Sequence, residues 1–140
     1  MSDDEAQGQY DWLTRLTPAE WLSAASTELA HATEALTHKQ QRAGVAQARR
    51  AAGMAWNAVL LGIAVLEERQ RFGRSYMDHL KALCDEPSVS AAVREAAVAL
   101  ISAPLSPVLV QLGTGDARLA TAAGVIIEEA RRRIVESRAG

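Results

Sequence analysis

The chain is poor in every residue type that would hold it together by means other than a packed core. Its one cysteine, Cys84, allows a monomer neither an intramolecular disulfide nor a cysteine-based metal cage. Aromatics make up 4% of the sequence, with Trp12, Trp21, Trp56, Phe72, Tyr10 and Tyr76 as the full set. Neither sign of charge dominates: 15 Lys and Arg against 17 Asp and Glu leave a formal net charge of -2. That balance argues against a broadly basic nucleic-acid surface or a cationic membrane face. The longest apolar stretch, Ala58 to Leu66 with Gly62 inside it, is far short of the roughly 20 residues a membrane span needs. The acidic start Met1-Ser2-Asp3-Asp4-Glu5 has neither the basic start nor the apolar run of a secretory signal, and a cytoplasmic location is expected.

Alanine is what the chain has instead. Hydrophobic residues are 49% of the sequence, mostly alanine, which loses least on entering a helix, whereas strands prefer branched and aromatic side chains. One core is expected, since a chain of this length removes roughly two thirds of its unfolded surface from water. The expected architecture is all-α: an antiparallel four- to five-helix up-and-down bundle over residues 17–140, preceded by a flexible acidic arm over residues 1–16.

The first helix starts at Thr17-Pro18-Ala19-Glu20, a threonine N-cap with proline in the first turn and a glutamate to complete a capping box. It carries Leu22, Ala25, Leu29, Ala32 and Leu36 on one face and ends near His38. The second keeps a three-four spacing through Val45, Ala48, Ala52, Ala55, Val59, Gly62 and Leu66. This stripe of small residues lets a neighbour come close, and its apolar arc is wide enough to place the helix centrally. Gly73 breaks the pattern, and Ser75 with Asp78 caps a short helix bearing Tyr76, Leu80 and Leu83. Pro87-Ser88 opens a fourth helix with Val89, Ala92, Val93, Ala96, Ala97 and Leu100 inward, closed by Pro104 and Pro107. After the short apolar run Val108 to Leu112 and the loop Gly113-Thr114-Gly115, Asp116 is expected to cap a last helix. That helix has Leu119, Ala123, Ile126, Ala130 and Ile134 inward, and Arg131, Arg132 and Arg133 complement its negative end.

Chemistry-bearing residues are sparse. The histidines are His31, His38 and His79. Glu28 with His31 and Glu34 with His38 share helix faces, but no matching motif on another helix completes a metal site, so no metal and no cofactor is expected. The glycine loop before the last helix lacks the lysine and spacing of a phosphate-binding P-loop. Cys84 reads as a buried, inert thiol. The densest cluster is Arg71-Phe72-Gly73-Arg74-Ser75-Tyr76-Met77-Asp78-His79. An arginine that holds phosphate and a histidine that moves a proton can cleave RNA without metal, by attack of the 2′ hydroxyl on the adjacent phosphate. Arg74 and His79 are therefore the candidate catalytic pair, and Arg71, Arg74, Tyr76 and Asp78 the candidate binding residues. The plainer reading is that Ser75 and Asp78 cap the helix, Tyr76 packs, and His79 and the arginines are solvated.

The order of these features resembles the HEPN superfamily of nucleotide-binding helical bundles, found in higher eukaryotes and prokaryotes. The resemblance is carried by Trp21-Leu22-Ser23-Ala24-Ala25 in the first helix, Ala46-Gln47-Ala48-Arg49-Arg50-Ala51-Ala52 in the second and the element His79-Leu80-Lys81-Ala82-Leu83. Arg74-Ser75-Tyr76-Met77-Asp78-His79 is similar to the arginine-to-histidine spacing of its active members. The resemblance implies a self-associating bundle, expected as a homodimer. Its implied partners are a nucleotide, an RNA end or a protein such as a nucleotidyltransferase. Three functions stay open on this basis: a non-enzymatic binding module, a metal-independent endoribonuclease using Arg74 and His79, and a structural adaptor.

Overall fold

The computed structural model describes residues 12–103 and 115–139, and those residues are all helix and connecting turn. A single 3-10 turn, Leu13–Arg15, precedes α1, Pro18–Thr37. α2 is Gln41–Leu61, α3 the short Leu66–Gln70 and α4 Tyr76–Leu83. α5 is Ala91–Ile101 and α6 is Gly115–Ala139. No helix among them is long and apolar enough to cross a membrane.

α1 begins where its capping box places it. The Thr17 hydroxyl accepts from the Glu20 amide at 3.1 Å, and the Glu20 carboxylate accepts from the Thr17 amide at 2.9 Å. α1 and α2 then form a tight antiparallel hairpin closed by Lys39, which turns with φ +58°. Its closeness is set by Gly44, where a Cβ would lie 2.5 Å from Leu36 Cδ2. Arg49, in the first half of α2, donates to the carbonyls of Leu100 and Ile101 at 2.8 and 2.9 Å. The end of α5 therefore lies beside the start of α2, and the two run antiparallel. Near the other end Arg133 of α6 donates to the Ser88 carbonyl just ahead of α5, so α5 and α6 are also antiparallel. The result is an up-down-up-down bundle, with α3 and α4 forming the crossover from α2 to α5.

α2 is central, as its wide apolar arc predicts. Val45, Ala48, Ala51, Ala52, Ala55, Trp56, Ala58, Val59 and Leu60 are all buried. α2 nevertheless stops a turn earlier than the expected Leu66. Gly62 is its C-cap, and the Gly62 and Ile63 amides donate back to Val59 and Leu60 at 2.9 and 3.0 Å, the tighter bonding that closes helix ends. Leu66 still packs on the core, from α3.

Two further expectations are corrected at the ends of elements. α5 is capped by Ser90, whose hydroxyl accepts from the Val93 amide, rather than opened at Pro87-Ser88. Val89 is buried ahead of the helix, Ala92 is exposed, and the buried stripe is Val93, Ala96, Ala97 and Leu100. α6 begins at Gly115, one residue before the Asp116 expected to cap it. The run 108–112, the prolines 104 and 107, and Gly113-Thr114 lie outside the described residues.

The boundary of the expected arm also moves. Leu13 is fully buried, and the Trp21 indole N–H donates to its carbonyl at 2.9 Å. Residues 12–16 thus belong to the domain rather than to an arm ending at residue 16. Residues 1–11 lie outside the described chain.

Glycines on two helices generate opposite expectations. A Cβ at Gly53 of α2 would meet the Tyr76 Cβ at 2.4 Å, whereas at Gly124 of α6 the nearest neighbour is Leu29 Cδ2 at 3.9 Å. Urea denaturation should show Gly53→Ala destabilised by about 1–3 kcal/mol, the usual range for overpacking. Gly124→Ala should be stabilised by up to about 1 kcal/mol, the helix-propensity gain alone. Leu13→Ala should cost about 3 kcal/mol in the same assay, as for a fully buried leucine; a change under about 0.5 kcal/mol, typical of an exposed site, would return residues 12–16 to the arm.

Candidate functional site

The segment Arg71 to His79 joins α3 to α4 and supplies the first turn of α4, and several of its polar groups can be followed to a partner. Gly73 takes φ +69°, and a Cβ there would meet the Asp78 side chain at 2.4 Å, so the turn needs glycine. It delivers Ser75 to the head of α4, where Ser75 Oγ accepts from the Asp78 amide at 3.0 Å and Asp78 Oδ2 accepts from the Ser75 amide at 3.3 Å. These hydrogen bonds hold the Asp78 carboxyl below its usual range. Tyr76 lies half-buried against Gly53, and burial raises its phenol. Arg71 reaches back to Glu86 at 3.0 Å, a carboxylate that is itself 4% exposed, and covers the Phe72 ring at 5.3 Å. Arg74 is exposed at the turn.

His79 is the surprise of the cluster, because it is not solvated. It is 0% exposed. Its Nδ1 lies 2.6 Å from the Phe72 carbonyl and its Nε2 lies 2.9 Å from Asn57 Oδ1 in α2. The Trp12 ring stacks on it, with centroids 6.4 Å apart and planes at 22°, and Tyr76 meets it edge-on. A general acid or base must reach the atom it serves within hydrogen-bond distance, directly or through one water. His79 has both nitrogens engaged within the bundle and no exposed surface. The segment thus brings Arg71, Ser75, Tyr76 and Asp78 together as capping and packing groups, while His79 turns inward from the exposed Arg74.

The hydrogen-bonding demands around His79 fix its chemistry further. Burial lowers its pKa below 6.5, which favours the neutral ring, and a neutral ring has one N–H donor. With Nδ1–H given to the Phe72 carbonyl, Nε2 accepts and calls for the amide nitrogen of Asn57. Asn57 Oδ1 against Nε2 suits only the imidazolium, and in that orientation Asn57 Nδ2 is buried without a partner. The two orientations of the Asn57 amide therefore match the two charge states of His79. Asn57, a lone polar residue within the apolar arc of α2, escaped the sequence reading, although its position between Trp56 and Ala58 was a legible signal. Glu86 escaped it too, because it belongs to no periodic pattern.

Elsewhere the polar residues are ordinary in geometry. Glu28 pairs with Arg50 at 3.1 Å. His38 donates through Nδ1 to the Glu34 carbonyl at 2.8 Å and shares a shallow depression of about 390 Å³ with His31, Glu34 and Gln47. Among the described residues no three His, Cys, Asp or Glu side chains converge to hold a metal ion. Cys84 is part-buried rather than fully so, and its thiol donates to the Leu80 carbonyl at 3.4 Å. Burial pushes that thiol up, away from the reactive thiolate.

An apolar groove of about 480 Å³ lies where α1 begins and α2 and α6 finish. Val59, Leu61, Ile63 and Ile134 supply its apolar surface, with Arg133 and Glu136 at its polar edge. Ile134, expected inward, is half-buried here. Arg133 also lies over the Trp56 ring at 5.4 Å and donates to Glu129 at 2.9 Å. Compared with models of protein families, with curated proteins and with solved structures, the chain finds no match in any of the three.

The direction of the His79 shift sets a pH dependence. A histidine whose folded pKa is depressed binds protons more readily unfolded, so its contribution is present above about pH 6.5 and is lost as pH falls toward the lower folded value. The urea midpoint should fall over that acid window in the wild type, and this component of the slope should vanish in His79→Leu. At neutral pH His79→Ala should cost about 3 kcal/mol, from the lost ring and the two groups it leaves unpaired.

Proposed function

We propose that this chain is a HEPN-like helical-bundle module that acts by binding rather than by catalysis, and that it does so as a homo-oligomer. The observation that carries this reading is the burial of His79 with both ring nitrogens occupied, which leaves Arg74 without an accessible acid-base partner. Arg71 and Asp78, the other charged groups of the segment, serve Glu86 and the α4 cap. Binding requires no such partner. The groove beside Arg133 falls within the range of about 300–1,000 Å³ usual for ligand sites, with apolar surface for a base and, at its edge, the Arg133 guanidinium that also serves Glu129 and Ser88. A nucleotide or an RNA end is therefore the ligand proposed, and a nucleotidyltransferase or other protein is the partner implied by the family resemblance.

A thermal-shift series tests this directly, with mononucleotides, dinucleotides and short RNA, each with and without a metal chelator. A ligand at a hundredfold excess over its dissociation constant adds about 2.7 kcal/mol, which for a domain of this size raises the melting temperature by roughly 8 °C. The expected outcome is a chelator-resistant shift with no cleavage of the RNA. Cleavage lost in Arg74→Ala would replace the binding reading with the metal-independent endoribonuclease. A flat response throughout would remove the nucleotide and leave the adaptor reading, with a protein as the ligand.

A further inference from the structure

α6 has two faces of different character. Its inner stripe, Leu119, Ala123, Ile126 and Ala130, is buried. The opposite face carries Val125, Glu128, Arg131, Arg132 and Val135, and a groove of about 730 Å³ runs along it beside Val93 of α5. Val135, at 60%, is the most exposed of three large exposed apolar side chains among the described residues. Glu128 pairs with Arg131, and Arg132 with Glu129 and Glu136, all within the same helix.

The order of these residues is self-complementary. Val125 and Val135 stand equally far on either side of position 130, and so do Glu128 and Arg132. Two such helices laid antiparallel about a twofold axis at that level set Val125 against the partner copy's valine at 135, and Glu128 against its arginine at 132. Parallel stacking in register would set like charge on like charge, which is unfavourable. An isologous contact asks of a surface that residue i meets j while j meets i. The ion pairs now closed within one helix can exchange across the interface, while the exposed Val135 and the outer part of the half-buried Val125 leave water.

We propose that the outer face of α6 is a twofold, antiparallel dimer interface whose occupant is a second copy of this chain. The proposal rests on the self-association in the reading above and is independent of which ligand the module takes. The substitutions that test it lie on exposed positions, so the fold should tolerate them.

Sedimentation velocity on the full chain without ligand tests it, and the thermal-shift series separately tests the binding reading. The wild type should run at twice the 15.0 kDa of one chain. Val135→Glu should run as a monomer, and Glu128→Arg or Arg132→Glu alone should each raise the dimer dissociation constant about tenfold or more. An equimolar mixture of the two charge-reversed variants should recover the two-chain mass, because each then offers what the other lacks. Melting curves of the single variants, expected to match an unassociated folded domain, exclude unfolding as the cause. A monomeric wild type would overturn the proposal, as would a dimer indifferent to all three substitutions or a mixture that stays monomeric.

Discussion

The structure depends on how closely other helices approach α2. Its buried surface is built from Gly44, Ala48, Ala51, Ala52, Gly53 and Ala55, residues whose short side chains let neighbours approach the α2 backbone. α1 closes on it across Gly44 and α4 across Gly53, each at a distance that excludes even a methyl group. The large side chains Trp56, Val59 and Leu60 are concentrated toward the other end of α2, where Trp56 meets Phe72 and the guanidinium of Arg133. Packing of this kind is unforgiving, because interiors are dense and volume changes of one methylene are felt.

That close packing determines the fate of the one segment rich in functional side chains. Once Tyr76 is seated on Gly53, the capped first turn of α4 directs His79 into the bundle, where it meets Asn57. A buried polar group is costly unless its hydrogen bonds are made, and the neutral ring meets that requirement by donating to the Phe72 carbonyl and accepting from the Asn57 amide nitrogen, once that amide is turned with its nitrogen toward Nε2. Trp12 covers the ring from outside, which explains why residues ahead of α1 are docked. The Arg71–Glu86 pair fastens the other side of the same crossover, with Glu86 also accepting from the Ser88 amide. A cluster that reads as chemistry along the chain is, in space, the joint between the two halves of the bundle.

Much of the fold was legible because helices announce themselves locally. The capping boxes at Thr17 and Ser75, the small-residue stripe of α2 and the inward set Leu119, Ala123, Ile126 and Ala130 stand where spacing put them. The errors were at ends: α2 stopped at Gly62, α5 waited for Ser90, and Leu13 joined the core without belonging to any periodic run. Helix ends are settled by single hydrogen bonds and by contacts with distant segments, which a local pattern does not carry.

By itself, the sequence determined the all-helical class, the central place of α2 and the caps that start α1 and α4, because these follow from residue types a turn apart along the chain. Tertiary structure alone decided that His79 faces Asn57 rather than solvent, that Arg71 is bound to Glu86, and that Trp12 and Leu13 belong to the domain. The reason is physical: burial and hydrogen-bond partnership depend on which residues meet in space from 8 to 67 positions apart along the chain, and side-chain chemistry is set by those meetings.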